Sequence, residues 1–288
     1  LHISYSAVLI GDYAFSGTKL SELRSDNIKS IGVGAFHTSK IEELRLGVVE
    51  TIGENAFLNC GNLQNIWLPS TLSSASIGVK AFDGCNNIKN VNSKILSPSD
   101  IGSDVFSVVS TSNIATLFVP ADAYESYNIG LWKNKFANIV KGDFIGEDTK
   151  DKLTYSLYSI AGVTEDDATL AAILTKSSST EKEIKIKSSI DVLASGDTES
   201  KSYEVREIGA YAFQNHSRLN KVWLPKTMTS IGDNAFAGCT DIKEIVSDIE
   251  DVFKISSNVF SGDIKETAKV YISRSEERRV GKECSSRW

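Results

Sequence analysis

The sequence predicts a mostly β repeat solenoid of parallel strands, with coils of about 21–25 residues, in two blocks with a small helical cap. Three observations support this fold class: a six-residue string recurs at a near-fixed step, a short strand-like string follows most copies, and the repeats are interrupted once. A period of 20 to 29 residues is too short for a domain. It fits one coil of a solenoid, which buries its apolar face only by stacking on neighbouring coils.

The recurring string is Ile-Gly-x-x-Ala-Phe, which we call the anchor. Its copies and looser variants are Ile10–Phe15, Ile31–Phe36, Ile52–Phe57, Ile77–Phe82, Ile101–Phe106, Ile208–Phe213, Ile231–Phe236 and Ile255–Phe260. Neighbouring copies are 21, 21, 25 and 24 residues apart, then 23 and 24 after the long gap. The glycine indicates a tight turn or a close approach of two backbones. We expect the Ile, Ala and Phe side chains to point inward and to stack from coil to coil.

Each anchor is followed by a second apolar string, as in Leu63–Pro69 and Leu219–Pro225. The last three residues before the proline position alternate apolar, variable, apolar, which is the period of a β-strand. Pro69, Pro120 and Pro225 fall just after such strings, where a missing N–H removes no ladder hydrogen bond. Every coil therefore contributes one short parallel strand, and these strands line one face of the solenoid.

The coil Leu-x-x-Ile-x-Leu-Pro followed by Ile-Gly-x-x-Ala-Phe-x-x-Cys resembles the BspA-type leucine-rich repeats of bacterial surface proteins. The resemblance covers about residues 5–120 and 200–273. It departs from the commoner leucine-rich pattern, which has a longer Leu ladder and an Asn. The resemblance implies a curved, leucine-rich-repeat-like solenoid that is exported, lies at the cell surface or outside the cell, and binds other proteins or host surfaces.

Composition adds limits of its own. The chain has 288 residues, 41% of them hydrophobic, which is ample for a core. We expect no membrane span, since no run of 18 apolar residues occurs. The formal net charge is −6 and no basic patch suggests nucleic acid. No signal peptide is visible, and we expect the chain to be a fragment because it opens inside a repeat.

Three cysteines, Cys60, Cys85 and Cys239, each lie three residues after an anchor Phe. The regular position favours a small buried side chain, because free Cys is among the most buried residue types. A disulfide between Cys60 and Cys85 on neighbouring coils is geometrically possible. No Cys-x-x-Cys occurs, so we expect no zinc, no other metal and no cofactor.

The repeats stop at Pro120, and residues 121–141 predict a helical cap over the end of the first block. Asp122 is the expected N-cap. Apolar side chains recur there at helical spacing, at Tyr124, Tyr127, Leu131, Trp132, Phe136 and Ile139. A cofactor box built from these aromatics is the alternative.

Polar residues 142–152 predict a linker near residue 146. Four strand-like segments follow and resemble degenerate coils, at Leu153–Ile160, Ala168–Thr175, Glu183–Ile190 and Tyr203–Ile208. The predicted organisation is a first block at 1–145, a second block at 146–273, and a tail at 274–288 that is non-native or disordered. The tail resembles vector- or adaptor-derived sequence.

No motif supports catalysis. The three histidines, His2, His37 and His216, lie far apart in the chain, and no nucleophile, zinc-protease or phosphate-loop motif occurs. The sequence therefore predicts a protein that is not an enzyme.

The functional signal is a column of side chains on the strands. The variable residue between the last two apolar positions of each strand points outward. That column contains Arg24, Arg45, Trp67, Asn92 and Phe118 in the first block, and Trp223, Val246 and Tyr271 in the second. Large aromatics on an exposed face are typical of binding hot spots. The alternative is that each is covered by a neighbouring loop or by the cap.

We therefore predict a non-enzymatic exported surface protein that binds a protein partner, such as a host extracellular or surface protein, through this strand-lined face. The predicted binding residues are Trp67, Trp223, Arg45, Phe118, Tyr271 and Arg24. A carbohydrate-binding module is the alternative, because aromatic faces also suit sugar rings.

Overall fold

The structure is a computed structural model that describes residues 7–99, 101–102, 104–106, 115–160, 169–194, 197–247, 254–255, 258–260 and 269–272. For residues 254 and 269–272 it describes the backbone alone. The chain divides into two compact units, Leu1–Phe144 and Ile145–Trp288. The tail predicted at 274–288 lies outside the described residues.

The first unit is a solenoid of short parallel strands. In chain order these are β1 (Leu9–Ile10), β2 (Glu22–Ser25), β3 (Ser30–Ile31), β4 (Glu43–Leu46), β5 (Thr51–Ile52), β6 (Asn65–Leu68), β7 (Asn90–Ser93), β8 (Thr116–Val119) and β9 (Asn138–Lys141). Strands β2, β4, β6, β7, β8 and β9 form one parallel sheet in that order, which we call the first front sheet. Strands β1, β3 and β5 form a second, three-stranded parallel sheet. The predicted parallel-strand solenoid is therefore confirmed.

The strand period of two decides which side chains enter the core. In β2, β4 and β6 the burial alternates, with the second and fourth residues buried. Leu23, Leu44 and Ile66 are fully buried and lie side by side in register. The residues between them face outward, so one local pattern fixes both the core and the outer face.

The anchor phenylalanines form a continuous stack. Phe15, Phe36, Phe57, Phe82 and Phe106 follow one another with ring centroids 5.1–5.2 Å apart and nearly parallel planes. Phe57 and Phe82 are fully buried, as predicted. The anchor glycine permits this stacking: a Cβ on Gly53 would lie 2.7 Å from the carbonyl carbon of Gly32 in the preceding coil.

The predicted cap is confirmed in its first part and wrong in its last. Among the described residues of the unit, 3-10 turns occur at Ser74–Ser76 and Ala121–Ala123, and the second is followed by two short helices, α1 (Tyr124–Tyr127) and α2 (Gly130–Lys135). Residues 138–141 form β9 instead of helix, so Ile139 pairs with Leu117 as a sixth strand. Asp122 is no N-cap, because it lies inside the 3-10 turn and makes no capping hydrogen bond.

The cap aromatics end the phenylalanine stack by packing against Phe106. Trp132 is buried with its ring centroid 6.2 Å from that of Phe106, and Phe136 meets Phe106 edge-on at 5.4 Å. Lys135 reaches the same place, where its Nζ donates to the Phe106 carbonyl at 3.0 Å. The open end of the core is thus covered by the rings of Trp132 and Phe136 and by Lys135, whose ammonium group is hydrogen-bonded.

The second unit contains the remaining strands, the first of which begins at Asp143, two residues before the unit boundary. They are β10 (Asp143–Lys150), β11 (Leu153–Ile160), β12 (Thr169–Ser177), β13 (Glu183–Lys185), β14 (Ser189–Val192), β15 (Lys201–Ile208), β16 (Lys221–Leu224), β17 (Ser230–Ile231), β18 (Glu244–Ser247), β19 (Lys254–Ile255) and β20 (Lys269–Ile272). Strands β13, β16, β18 and β20 form the second front sheet, which is parallel throughout. The side sheet has the order β10-β11-β12-β15-β17-β19, with β14 paired to β15.

Two predictions fail at the start of this unit. The predicted linker at 142–152 is mostly strand β10, and β11 and β12 pair antiparallel, so they are not degenerate coils. Only Asp151 and Lys152 connect β10 to β11, and both have positive φ, at 53° and 65°. A two-residue turn with both residues left-handed matches the twist of a hairpin. The turn lacks the usual Asn-Gly or Asp-Gly, so its sequence did not indicate a hairpin.

Beyond β15 the regular coils resume. Phe213 and Phe236 stack with ring centroids 5.1 Å apart, and Phe236 is fully buried, as predicted.

Across the described part of the chain, no helix has the length and apolar character needed to cross a membrane.

Candidate functional site

The outward columns predicted from the sequence exist in register. In the first front sheet Arg24 pairs with Arg45, Arg45 with Trp67, Trp67 with Asn92, and Asn92 with Phe118. In the second front sheet Trp223 pairs with Val246, and Val246 with Tyr271. The register pairs residues that hold equivalent positions in the apolar strings, although the step from the anchor Phe to the middle apolar residue varies from 8 residues (Phe15 to Leu23) to 11 (Phe106 to Leu117).

At the first two strands the outer face carries charge. Arg24 Nη2 lies 3.3 Å from Glu22 Oε1, and Arg45 Nε lies 3.5 Å from Glu43 Oε2. Both pairs join residues two apart on one strand, and the Arg24 pair is about half exposed. Such pairs contribute only about 0.2–1 kcal/mol each. These charges therefore contribute little to stability.

Trp67 is half-buried, and two neighbouring side chains pack against its indole. The Arg45 guanidinium carbon lies 3.4 Å from the ring centroid, which is a close cation–π contact. The Phe144 ring lies at 5.6 Å with a tilt of 37°. Trp67 is thus partly covered by Arg45 and Phe144.

The prediction that Phe118 is an exposed binding residue is wrong, because its side chain is fully buried. Its centroid lies 5.2 Å from that of Phe144, which follows β9. The chain turns at Gly142, whose φ is 139°. The Phe144 N–H then donates to Asn92 Oδ1 at 3.1 Å. This turn brings residue 144 onto the outer face.

An ion pair between Lys94 and Asp143 supports the same turn. The apolar character of Phe144 inside a polar segment is the signal that could have indicated a covering residue. Of the predicted binding residues in the first unit, the structure therefore brings Arg24, Arg45 and Trp67 together on the accessible face.

Trp223 holds the equivalent place in the second front sheet. It is half-buried, and Lys221 Nζ lies 4.8 Å from its ring centroid. Lys221 also pairs with Glu244 at 2.6 Å across to β18. Tyr271 follows in the column by its backbone register, and its side chain lies outside the described residues.

The three described cysteines are free and buried, as predicted for a register position. Each thiol donates to the anchor Phe carbonyl of the preceding coil: Cys60 to Phe36, Cys85 to Phe57 and Cys239 to Phe213, at 3.0–3.1 Å. The thiols therefore satisfy a buried carbonyl. A hydrogen bond with Cys60, together with burial, holds the pKa of Cys85 well above its usual range.

Cys239 gives a prediction for alkaline solution. Burial raises the pKa of this thiol to about 11, above the value of roughly 8.5 expected in the unfolded chain. The unfolded state loses this proton first as the pH rises, so stability falls between about pH 9 and 11. Cys239→Ser keeps a donor to the Phe213 carbonyl and removes the titration.

We expect urea unfolding of Cys239→Ser to show a loss of stability between pH 8 and 11 that is smaller than in the parent by about 1–3 kcal/mol. Cys239→Ala, which also lacks the titration, serves as the control and should show the same shallow slope from a lower starting stability. Equal slopes in all three proteins would contradict the prediction.

Sequence reasoning missed one polar network on the side sheet. Tyr158 donates to Glu207 Oε1 at 2.7 Å, and the Ser230 hydroxyl donates to Glu207 Oε2 at 3.1 Å. Burial raises the pKa of the Glu207 carboxyl, and these two donors partly offset that rise. Nothing in the strand pattern distinguishes Glu207 from other outward residues.

Within the described ranges no group of three or more His, Cys, Asp or Glu side chains could hold a metal ion.

Known proteins resemble the chain in its repeats. The sequence model of the BspA type Leucine rich repeat region matches residues 1–123 and 198–284, in six copies. No curated protein matches the chain.

Three solved structures are similar to it. A leucine rich cell surface protein from Faecalibacterium prausnitzii A2-165 has 16% identity over 91% of this chain and 76% of its own, with a TM-score of 0.31. A leucine-rich repeat protein from Bacteroides ovatus ATCC 8483 has 17% identity over 94% and 77%, with a TM-score of 0.29. The pneumococcal vaccine antigen PcpA has 14% identity over 93% and 80%, with a TM-score of 0.29.

The match to the repeat model extends over well more than half of the chain and falls on the anchors and front strands described above. The chain therefore belongs to the BspA-type leucine-rich repeat family.

Proposed function

We propose that the chain is an exported bacterial surface protein without enzymatic activity, which binds a protein partner through the outer faces of its front sheets. The observation that carries this proposal is the placement of Trp67 and Trp223. Each is half-buried at the same strand position in its own unit, and each has a basic side chain over its ring. Tryptophan and arginine are the residues most enriched in binding hot spots.

The setting of these residues suits a protein partner. The strands hold Arg45 and Trp67 in fixed positions, so little conformational entropy is lost when a partner docks. Glu22, Arg24 and Glu43 surround them with exposed charges of both signs. An apolar centre with a charged rim is the usual arrangement of a protein interface.

The environment of Trp67 disfavours the carbohydrate alternative. A sugar ring stacks on a free aromatic face, whereas Trp67 has Arg45 at 3.4 Å and Phe144 at 5.6 Å from its ring. The exposed part of Trp67 and the partly exposed Arg45 side chain remain for contact. The family supports the remaining parts of the proposal, because it is typical of cell surfaces and generally non-enzymatic.

The experiment is a screen of the purified chain against extracellular-matrix proteins and, in parallel, a glycan array. We expect a protein hit, and we expect Trp67→Ala combined with Trp223→Ala to weaken its binding by at least ~30-fold, as loss of a hot spot of about 2 kcal/mol or more does.

Phe118→Leu is the matched control, since Phe118 is fully buried and should affect binding little. Circular dichroism of each variant checks that the fold is intact. Saturable glycan binding without a protein hit, or unchanged affinity of the folded double variant for the protein hit, would remove this proposal.

A further inference from the structure

The side sheet of the second unit has more strands at its N-terminal end than the front sheet has. The side sheet extends beyond β15 through β12, β11 and β10, whereas the front sheet starts at β13. A cavity of about 150 Å³ lies beside β13 where the front sheet stops. We call it the notch. Its apolar lining is Leu153 and Tyr155 from β11 with Ile184 and Ile190, all of them buried.

Strand β13 has a free edge on the side of the notch. In a parallel ladder, successive residues direct their N–H and C=O groups to opposite sides. The Ile186 N–H donates to the Trp223 carbonyl at 3.0 Å, and the Lys182 carbonyl accepts from the Asn220 N–H at 2.6 Å. The even-numbered residues therefore face β16. Glu183 and Lys185 face away from it, and within the described part of the chain their backbone groups make no hydrogen bond.

The size of the notch decides what it can hold. Small-molecule sites usually occupy about 300–1,000 Å³, which is well above its volume. An apolar cavity of roughly 150 Å³ accommodates a group the size of benzene. Besides its four apolar side chains, the notch is lined by polar and charged residues, among them Asp151 and Lys187, which form an ion pair at 2.9 Å. Its volume fits one side chain such as leucine or phenylalanine, presented by a backbone that pairs with β13.

The charges beside the notch favour a particular strand sequence. Along the front sheet the outward residues in register are Glu183, Lys221 and Glu244, which alternate in sign. Lys221 and Glu244 are paired at 2.6 Å. A strand added outside β13 continues this alternation if a basic residue lies beside Glu183 and an acidic residue beside Lys185. The residue between them points into the notch beside Ile184.

We propose that the notch binds an extended peptide segment of another protein, which adds to β13 as a new strand. The segment has an apolar residue flanked by one basic and one acidic residue. Backbone hydrogen bonds to Glu183 and Lys185 give affinity, and the apolar residue gives specificity. This site is separate from Trp67 and does not depend on the proposed function.

The test is a titration of the isotope-labelled chain with a capped nonapeptide that has Thr-Lys-Leu-Glu-Thr at its centre, followed by amide chemical shifts. We expect saturable shifts confined to β13 and to the residues around Tyr155. Changing the peptide leucine to alanine should weaken binding at least ~10-fold, because the apolar burial is lost.

Lys185→Pro should abolish binding. It removes an N–H that β16 does not use, and proline is tolerated on an edge strand in that orientation. Lys185→Ala is the matched control and should change affinity by less than ~5-fold, as expected for one exposed charge. Trp67→Ala should leave peptide binding unchanged, which separates a failure here from a failure of the proposed function.

A peptide methylated at the backbone nitrogens that face β13 covers the case in which Lys185→Pro does not fold. We expect this peptide not to bind the parent protein. The proposal is overturned by no saturable shift at millimolar peptide, by shifts centred elsewhere, or by undiminished binding of the methylated peptide or of folded Lys185→Pro.

Discussion

Replacing Phe57 by alanine should lower the free energy of unfolding by about 3–5 kcal/mol, the usual cost of truncating a buried phenylalanine. Phe57 is fully buried at the centre of the stack, with Phe36 and Phe82 each 5.2 Å away. Its neighbours are held by their own coils and cannot close the space that alanine leaves. Urea unfolding monitored by circular dichroism measures the loss.

Phe57→Leu is the control for this substitution. Leucine keeps most of the apolar volume, so we expect a clearly smaller loss, with the difference reporting the cavity. A loss below about 1 kcal/mol for Phe57→Ala would mean that the coils stack independently of the phenylalanine rings, contrary to our account of the core.

Gly53→Ala should lower the free energy of unfolding by about 3 kcal/mol, which is the upper end of the usual cost of overpacking. A Cβ at this position would lie 2.7 Å from the Gly32 carbonyl carbon and 2.8 Å from both the Gly32 oxygen and the Val33 nitrogen. All three contacts are backbone atoms, so no rotamer change relieves them. The adjacent coils must move apart, which strains the Ile31–Ile52 pairing of the small sheet.

Gly61→Ala is the matched control on the same coil. A Cβ there meets nothing within 4 Å, and its φ is not in the left-handed region. We expect this substitution to change stability by less than about 1 kcal/mol. Thermal unfolding of both variants compares them directly. Equal effects would show that the Gly53 contact is not what limits the spacing of the coils.

Much of the fold could be predicted because short sequence strings repeat along the chain and each repeat forms the same local structure. The anchor spacing predicts the phenylalanine stack, and the alternation in strings such as Leu63–Pro69 predicts which residues are buried. The alternation in these strings also predicts the outward columns, in which Arg45 and Trp67 lie side by side. In a solenoid each coil contacts mainly its neighbours, so local pattern and tertiary contact coincide.

The regions that interrupt the repeat were predicted poorly. The sequence predicts a linker where β10 and the turn into β11 form, because Asp151-Lys152 is an unusual turn sequence and β10 is largely polar. The sequence predicts a helix where β9 forms, because the apolar residues of this segment also fit a helical spacing. Short segments satisfy both periods, and only pairing with β8 decides between them.

The sequence alone determined the solenoid, its buried positions, the repeat-register role of the cysteines and the outward direction of Arg24, Arg45, Trp67 and Trp223. Only the tertiary structure decided which outward residues are accessible. Phe118 is buried and packs against Phe144, and Trp67 lies between Arg45 and Phe144. The notch beside β13 likewise exists because two sheets end at different levels. Strand alternation fixes the direction of a side chain, whereas its exposure depends on segments distant in the chain that fold over it.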